Sequence, residues 1–138
     1  IHPPYKQDIA KRLSDLALNR DYGLKNKVIS GPRYHSSKVK GNKIYLSFKA
    51  SEGLKSRDGK ALTWFTIAGA DGIFELADAK IEGNKVVVSN AKVPKPTQVR
   101  FAWSESAQPN FTNAVGLPAV PFRTDAANWN YIKSKSVN

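Results

Sequence analysis

Two hydrophobic periods divide the chain. From Ile9 the apolar positions recur at Leu13, Leu16 and Ala17, a stripe at helical spacing. Asp8, Lys11, Arg12, Ser14 and Asp15 fill the other faces, so this stretch predicts an amphipathic helix. Pro3 and Pro4 fit only at its entry, and Gly23 after Asp21-Tyr22 supplies a stop. Beyond Ser30-Gly31-Pro32 the period drops to two. Ile44, Leu46 and Phe48 alternate with polar neighbours in Lys43–Phe48, and further strands are predicted at Trp64–Ala68, Lys85–Ser89 and Gln98–Trp103. Arg57-Asp58-Gly59, Ala70-Asp71-Gly72, Gly83-Asn84 and Pro94-Lys95-Pro96 punctuate them with turn chemistry.

Val39-Lys40-Gly41-Asn42-Lys43-Ile44 is echoed by Ile81-Glu82-Gly83-Asn84-Lys85-Val86. Both place Gly-Asn between strand residues, a two-residue hairpin signal used twice. Short strands punctuated this often predict a mainly β chain, an antiparallel β-sandwich or jelly-roll-like domain preceded by one α-helix. A lone helix with an apolar stripe needs a packing partner. Either it lies on the sandwich or it belongs to an α/β domain whose remainder lies elsewhere.

Composition narrows the chemistry. With 138 residues, 41% of them hydrophobic, the chain can bury a core. No apolar run is long enough to span a bilayer. A chain opening at Ile1 rather than Met is expected to be part of a longer one. Cysteine is absent, which removes disulfides and thiolate chemistry, and His2 and His35 are too few and too far apart for a metal cluster. The net charge of +11 raises nucleic acid, anionic membrane or acidic substrate as partners. Lysines and arginines are nevertheless spread along the chain, with no like-charge run longer than Lys11-Arg12, which favours a solvated surface.

No internal nucleophile stands out. Ser36, Ser47 and Ser104 lie in strand or turn settings without a Gly-x-Ser-x-Gly elbow, and His35 beside Ser36 and Ser37 reads as a surface residue. Trp64, Trp103 and Trp129 would suit a sugar-stacking platform, extended by Tyr34, Tyr45 and Phe111, yet a strand tryptophan is more often core. Phe101 and Trp103 are two apart and are expected to share a core face, leaving Trp129 the best placed for a surface contact. Asp58-Gly59 and Asp71-Gly72 lack calcium-loop spacing and read as turns.

Motifs in fixed order carry a family resemblance. Ile1-His2-Pro3-Pro4-Tyr5-Lys6-Gln7, then Arg12-Leu13, Tyr22-Gly23 and Ser30-Gly31-Pro32-Arg33-Tyr34, resemble the end of the catalytic domain of sialate O-acetylesterases and its exit into a C-terminal β domain. These are carbohydrate esterases of the SGNH-hydrolase type. Gly53-Leu54, Ser56, Asp58-Gly59, Leu62, Phe65-Thr66-Ile67-Ala68-Gly69 and Val99-Arg100-Phe101-Ala102-Trp103 continue the likeness. Asn113, Gly116-Leu117-Pro118-Ala119, Pro121-Phe122-Arg123-Thr124-Asp125 and Trp129 resemble the family's closing signature. Ala10 stands where the family often has glycine, and Pro4-Tyr5 replaces a more polar pair. The Asp expected before Ile1, the serine nucleophile and the oxyanion-hole Gly and Asn belong to blocks outside this chain.

The resemblance implies residues 1–30 as the end of the catalytic α/β domain, 31–129 as a C-terminal β-sandwich and 130–138 as a tail. It implies a whole protein that removes O-acetyl groups from sialic acid or a related sugar by Ser-His-Asp type hydrolysis. His2 would be the general base, since imidazole titrates near neutrality. This chain alone would lack the nucleophile and be inactive. Arg123, suited to bidentate capture of a substrate carboxylate, and Trp129 are the candidate substrate contacts; the plainer reading of Arg123 is a local ion pair with Asp125. No cofactor or metal is expected. The expected partners are an O-acetylated sugar and the N-terminal catalytic portion, with neither nucleic acid nor membrane, in a periplasmic or secreted setting. The alternatives are a non-catalytic carbohydrate-binding or interaction module and, less favoured, a basic nucleic-acid binder.

Overall fold

The computed structural model describes residues 30–125, which contain ten β-strands and no helix. The predicted helix with its stripe at Ile9, Leu13, Leu16 and Ala17 lies outside the described residues, as do His2, Trp129 and the tail. Strands β1 (Arg33–Lys40), β2 (Lys43–Lys49), β6 (Asp78–Glu82) and β7 (Lys85–Ser89) form one antiparallel sheet in the order β1-β2-β7-β6. Strands β4 (Phe65–Ala68), β5 (Glu75–Leu76), β8 (Gln98–Phe101) and β10 (Phe122–Arg123) form a second, ordered β10-β8-β4-β5. A small ladder pairs β3 (Lys55–Ser56) with β9 (Phe111–Thr112).

The two Gly-Asn sites make the hairpins their sequence predicts. Lys40 pairs with Lys43 across Gly41-Asn42, and Glu82 with Lys85 across Gly83-Asn84. Gly41 and Gly83 take φ of 60° and 62°, the positive first central residue of a type II′ turn, whose twist suits antiparallel strands.

Alternation then sorts side chains into layers. Ile44, Leu46 and Phe48 of β2 and Val86 and Val88 of β7 point inward from the first sheet. Phe65 and Ile67 of β4, Val99 and Phe101 of β8 and Phe122 of β10 meet them from the second. Phe111 of β9 closes the core, at 5.2 Å from Phe48, 6.0 Å from Phe65 and 5.8 Å from Phe101 between ring centroids. At about 25 cal/mol per Å2 of apolar surface buried, these rings dominate the stabilisation of the sandwich.

The second sheet departs from simple alternation at one end. The strands predicted to begin at Trp64 and to run to Trp103 stop at Phe65 and Phe101, because Trp64 and Ala102 take φ of 66° and 51°. Trp64 is therefore 38% exposed and Trp103 50% exposed, which corrects the expectation that Phe101 and Trp103 share a core face. Positive φ reverses the direction of the chain locally, so the two-residue period fails there.

Candidate functional site

The first sheet's outer face is charged. Register places Arg33, Lys38, Lys40, Lys43, Lys49, Lys80 and Lys85 there, all exposed, with Asp78 and Glu82 as the acidic residues. Charge that is scattered along the sequence is thus gathered by strand pairing. Tyr45 and Val87 sit at its middle, and Lys40 Nζ lies 5.4 Å from the Tyr45 ring centroid. Charged side chains on β1 and β6, the edge strands of this sheet, discourage strand addition by other chains.

The motifs behind the resemblance interlock in space. Asn113, nearly fully buried, donates from Nδ2 to the Ser30 carbonyl at 3.0 Å and accepts at Oδ1 from the Leu117 amide at 3.1 Å. The Val120 amide bonds the Pro32 carbonyl at 2.9 Å. The Ser30-Gly31-Pro32 segment and the Asn113…Leu117-Pro118 motif are therefore one structural device, which ties the residues ahead of β1 to the loop after β9. A second device joins β8 to the end of the signature. The Val99 amide donates to Thr124 Oγ1 at 2.8 Å, while Arg100 and Arg123 both grip Asp125. Arg123 donates from Nε and Nη2 at 3.1 and 3.0 Å, the forked geometry guanidinium offers a carboxylate.

The ion pair expected between Arg123 and Asp125 is present, and Arg100 enlarges it to a triad. Phe74 covers Arg100 at 3.9 Å and Trp103 covers Arg123 at 5.3 Å. The Arg100 hydrogen bond, aided by Arg123 and opposed by burial, holds the Asp125 carboxyl below the usual carboxylate range. Of the residues singled out in sequence, His35 is exposed on β1 at a bulge between Tyr34 and Ser36. Phe111 is wholly buried and Tyr34 stacks on Phe122 at 4.7 Å, so neither belongs to an exposed aromatic platform. Among the described residues no cluster of three His, Cys, Asp or Glu side chains is placed to hold a metal ion.

An open groove of about 390 Å3 lies beside Trp64, lined also by Arg57, Asp58, Thr63, Ser106, Gln108 and Asn110. The Asp58-Gly59 and Asp71-Gly72 segments are turns, as their spacing indicates, with Gly59 and Gly72 both at φ 71° and each Asp accepting from an amide two residues on. Asp58 is engaged further. Its Oδ1 accepts from Ser56 Oγ at 2.9 Å, the Lys60 amide at 3.1 Å and Asn110 Nδ2 at 2.9 Å. These donors lower its pKa to about 2, Asn110 most of all. Asn110 also donates to the Ala61 carbonyl at 2.8 Å and accepts from the Thr63 amide and hydroxyl. Sequence reasoning passed over Asn110; its only local signal is an Asn ahead of the Phe-Thr-Asn run.

No family model matches the chain, and no curated protein matches it. Among solved structures, a carbohydrate acetylesterase from Xanthomonas citri resembles it with a TM-score of 0.82 and 39% sequence identity over 90% of this chain. The chain spans 29% of the length of that acetylesterase.

Proposed function

We propose that this chain is the C-terminal portion of a carbohydrate acetylesterase, with the sandwich as its accessory β domain. The observation that carries this reading is the 39% identity, sustained over 90% of the chain, to a carbohydrate acetylesterase of three times the length or more. Fold alone does not confer function, so the reading rests on the sequence identity and not on the shared sandwich. The whole protein would cleave O-acetyl esters on sialic acid or a related sugar through a serine nucleophile supplied upstream. His2 would deprotonate that serine and then protonate the leaving alcohol, and the upstream carboxylate would orient its ring. No cofactor is required by such a reaction. Arg123 and Trp129 would approach the substrate in the sialate form of this reading. A periplasmic or secreted location goes with it.

Acetate release from O-acetylated sialic acid by the whole protein, with and without His2→Ala, is the test. Loss of turnover in a folded mutant is expected. Full activity in the mutant would place the base elsewhere.

A further inference from the structure

The geometry points to a non-catalytic sugar-binding groove on the sandwich, built from the exposed face of Trp64 and the fixed carboxylate of Asp58, and suited to a neutral pyranose unit of a glycan.

Three observations converge on it. The first is the backbone at Trp64. A bulky residue at φ 66° is a true outlier, and such conformations persist where the surroundings impose them. Here the Trp64 carbonyl accepts from the Ala102 amide at 2.9 Å, so the β4–β8 ladder holds the strained residue. The strain keeps an indole at the surface directly beside Phe65, which is 1% exposed. A core role would need the opposite.

The second is the preparation of Asp58. Among the described residues, Ser56, Lys60 and Asn110 all converge on Oδ1, which leaves Oδ2 for an incoming donor. Asn110 is 7% exposed and ties the same turn to Ala61 and Thr63. The Arg57 amide donates to the Asn110 carbonyl at 2.7 Å, so both sides of the turn are anchored to one residue. A surface turn that only reversed the chain would not need its carboxylate fixed from the interior.

The third is their shared groove, whose volume falls in the range of small-ligand sites. A pyranose offers an apolar C–H face and a rim of hydroxyls. The indole suits the face, while a carboxylate oxygen and the Gln108 amide suit the rim. With Arg57 and Asp58 both lining it, the groove carries no net charge to draw a sugar's carboxylate. The site is therefore separate in chemistry from a sialate-binding catalytic centre. It takes from the proposed function only that the protein works among glycans.

The test is direct binding by the 138-residue chain to cellohexaose and mannohexaose, with 6′-sialyllactose as the anionic comparison, followed by calorimetry and tryptophan fluorescence. Binding to a neutral hexaose near a Kd of about 1 mM is expected, as is binding at least about tenfold weaker in Trp64→Ala and in Asp58→Asn. Trp64→Gly keeps the backbone conformation and relieves its strain, which offsets part of the lost indole packing, so it should remain folded and still lose binding. No binding of either neutral probe, or tighter binding of 6′-sialyllactose than of both, overturns the proposal. So does a Trp64→Gly protein that binds as the parent does. Because no ester is hydrolysed in these assays, their failure leaves the esterase reading intact, and absence of acetate release leaves the groove intact.

Discussion

Asn113 reaches from the β9 end of the sandwich to the carbonyl of Ser30, joining residues 83 positions apart. It also caps its own turn by accepting from the Leu117 amide. One buried side chain thus fixes both the segment ahead of β1 and the loop that follows β9. This gives a physical reason for an asparagine in the closing signature: a carboxylate could accept from Leu117 but could not donate to Ser30.

Removing it should therefore cost more than an average substitution. Asn113→Ala leaves the Ser30 carbonyl and the Leu117 amide without that partner in a part-buried place, for an expected loss of about 2 kcal/mol. Asn113→Asp should be at least as harmful, although it conserves shape, because it places a charge where an oxygen already stands. Urea denaturation of both variants checks this. Wild-type stability in Asn113→Asp would show that the Ser30 contact contributes nothing.

Gly31 gives a second handle on the same junction. A Cβ there would lie 1.8 Å from the Pro118 carbonyl oxygen and 2.5 Å from its carbon, both backbone atoms with little room to move. Gly31→Ala should destabilise by about 2–3 kcal/mol, or unseat the entry segment altogether. Gly41→Ala is a useful contrast, since that site has no crowding and the penalty there comes from φ alone. Thermal unfolding should rank Gly31→Ala well below Gly41→Ala.

Much of this fold could be read from the sequence. The period of two in Lys43–Phe48 and Lys85–Ser89 and the paired Gly-Asn turns specify β2, β7 and both hairpins, because local chemistry decides them. The short strands β3, β5, β9 and β10, of two residues each, carry no period and exist only through long-range pairing. The exposure of Trp64 and Trp103 is not legible in the sequence for a similar reason. Positive φ at Trp64 and Ala102 is imposed by tertiary hydrogen bonding, and neither residue type signals it. The groove shared this fate, since the partner that positions Asp58 is Asn110, 52 residues further on. The charged face was hidden because register, not sequence spacing, brings its lysines together.

The Asp125 triad sets an acid limit on stability. Its carboxyl titrates below the usual carboxylate range in the folded protein because Arg100 and Arg123 stabilise the anion. The contribution is therefore full at neutral pH and down to the unfolded-state value near about 4, then fades as pH falls through the folded value. Asp125→Asn should lower stability at pH 7 by about 1–2 kcal/mol, and the gap between it and the parent should shrink below about pH 4. Denaturation curves across that range decide the matter. A gap that stays constant down to pH 2 would mean that the triad acts by shape rather than by charge.

Arg123 can be examined in the whole protein. Its guanidinium holds Asp125 and lies against Trp103, so Arg123→Ala should reduce stability by about 1 kcal/mol. If the side chain also meets a substrate carboxylate, KM for a sialate ester should rise while KM for a neutral acetylated sugar does not. Arg123→Lys separates the roles, because a lysine cannot reproduce the fork that guanidinium presents to a carboxylate. Equal KM values for both esters in a stable variant would confine Arg123 to bracing the sandwich.

Ala102 offers the reverse experiment, a substitution that should stabilise. Its φ of 51° is uncomfortable for any residue with a Cβ, and its amide is already committed to the Trp64 carbonyl. Ala102 is buried, so deleting its methyl group removes a small apolar contact as well. Relief of the left-handed strain is worth about 1–2 kcal/mol, while glycine's extra unfolded-state freedom and the lost methyl contact offset about 1 kcal/mol of it. Ala102→Gly should thus raise stability by up to about 1 kcal/mol and Tm by a few degrees. Ala102→Val, which adds β-branching at positive φ, should do the opposite by a larger amount. If glycine instead lowers Tm, the turn at 102 is held by contacts of the methyl group rather than against its own conformational cost, and the exposure of Trp103 would follow from packing.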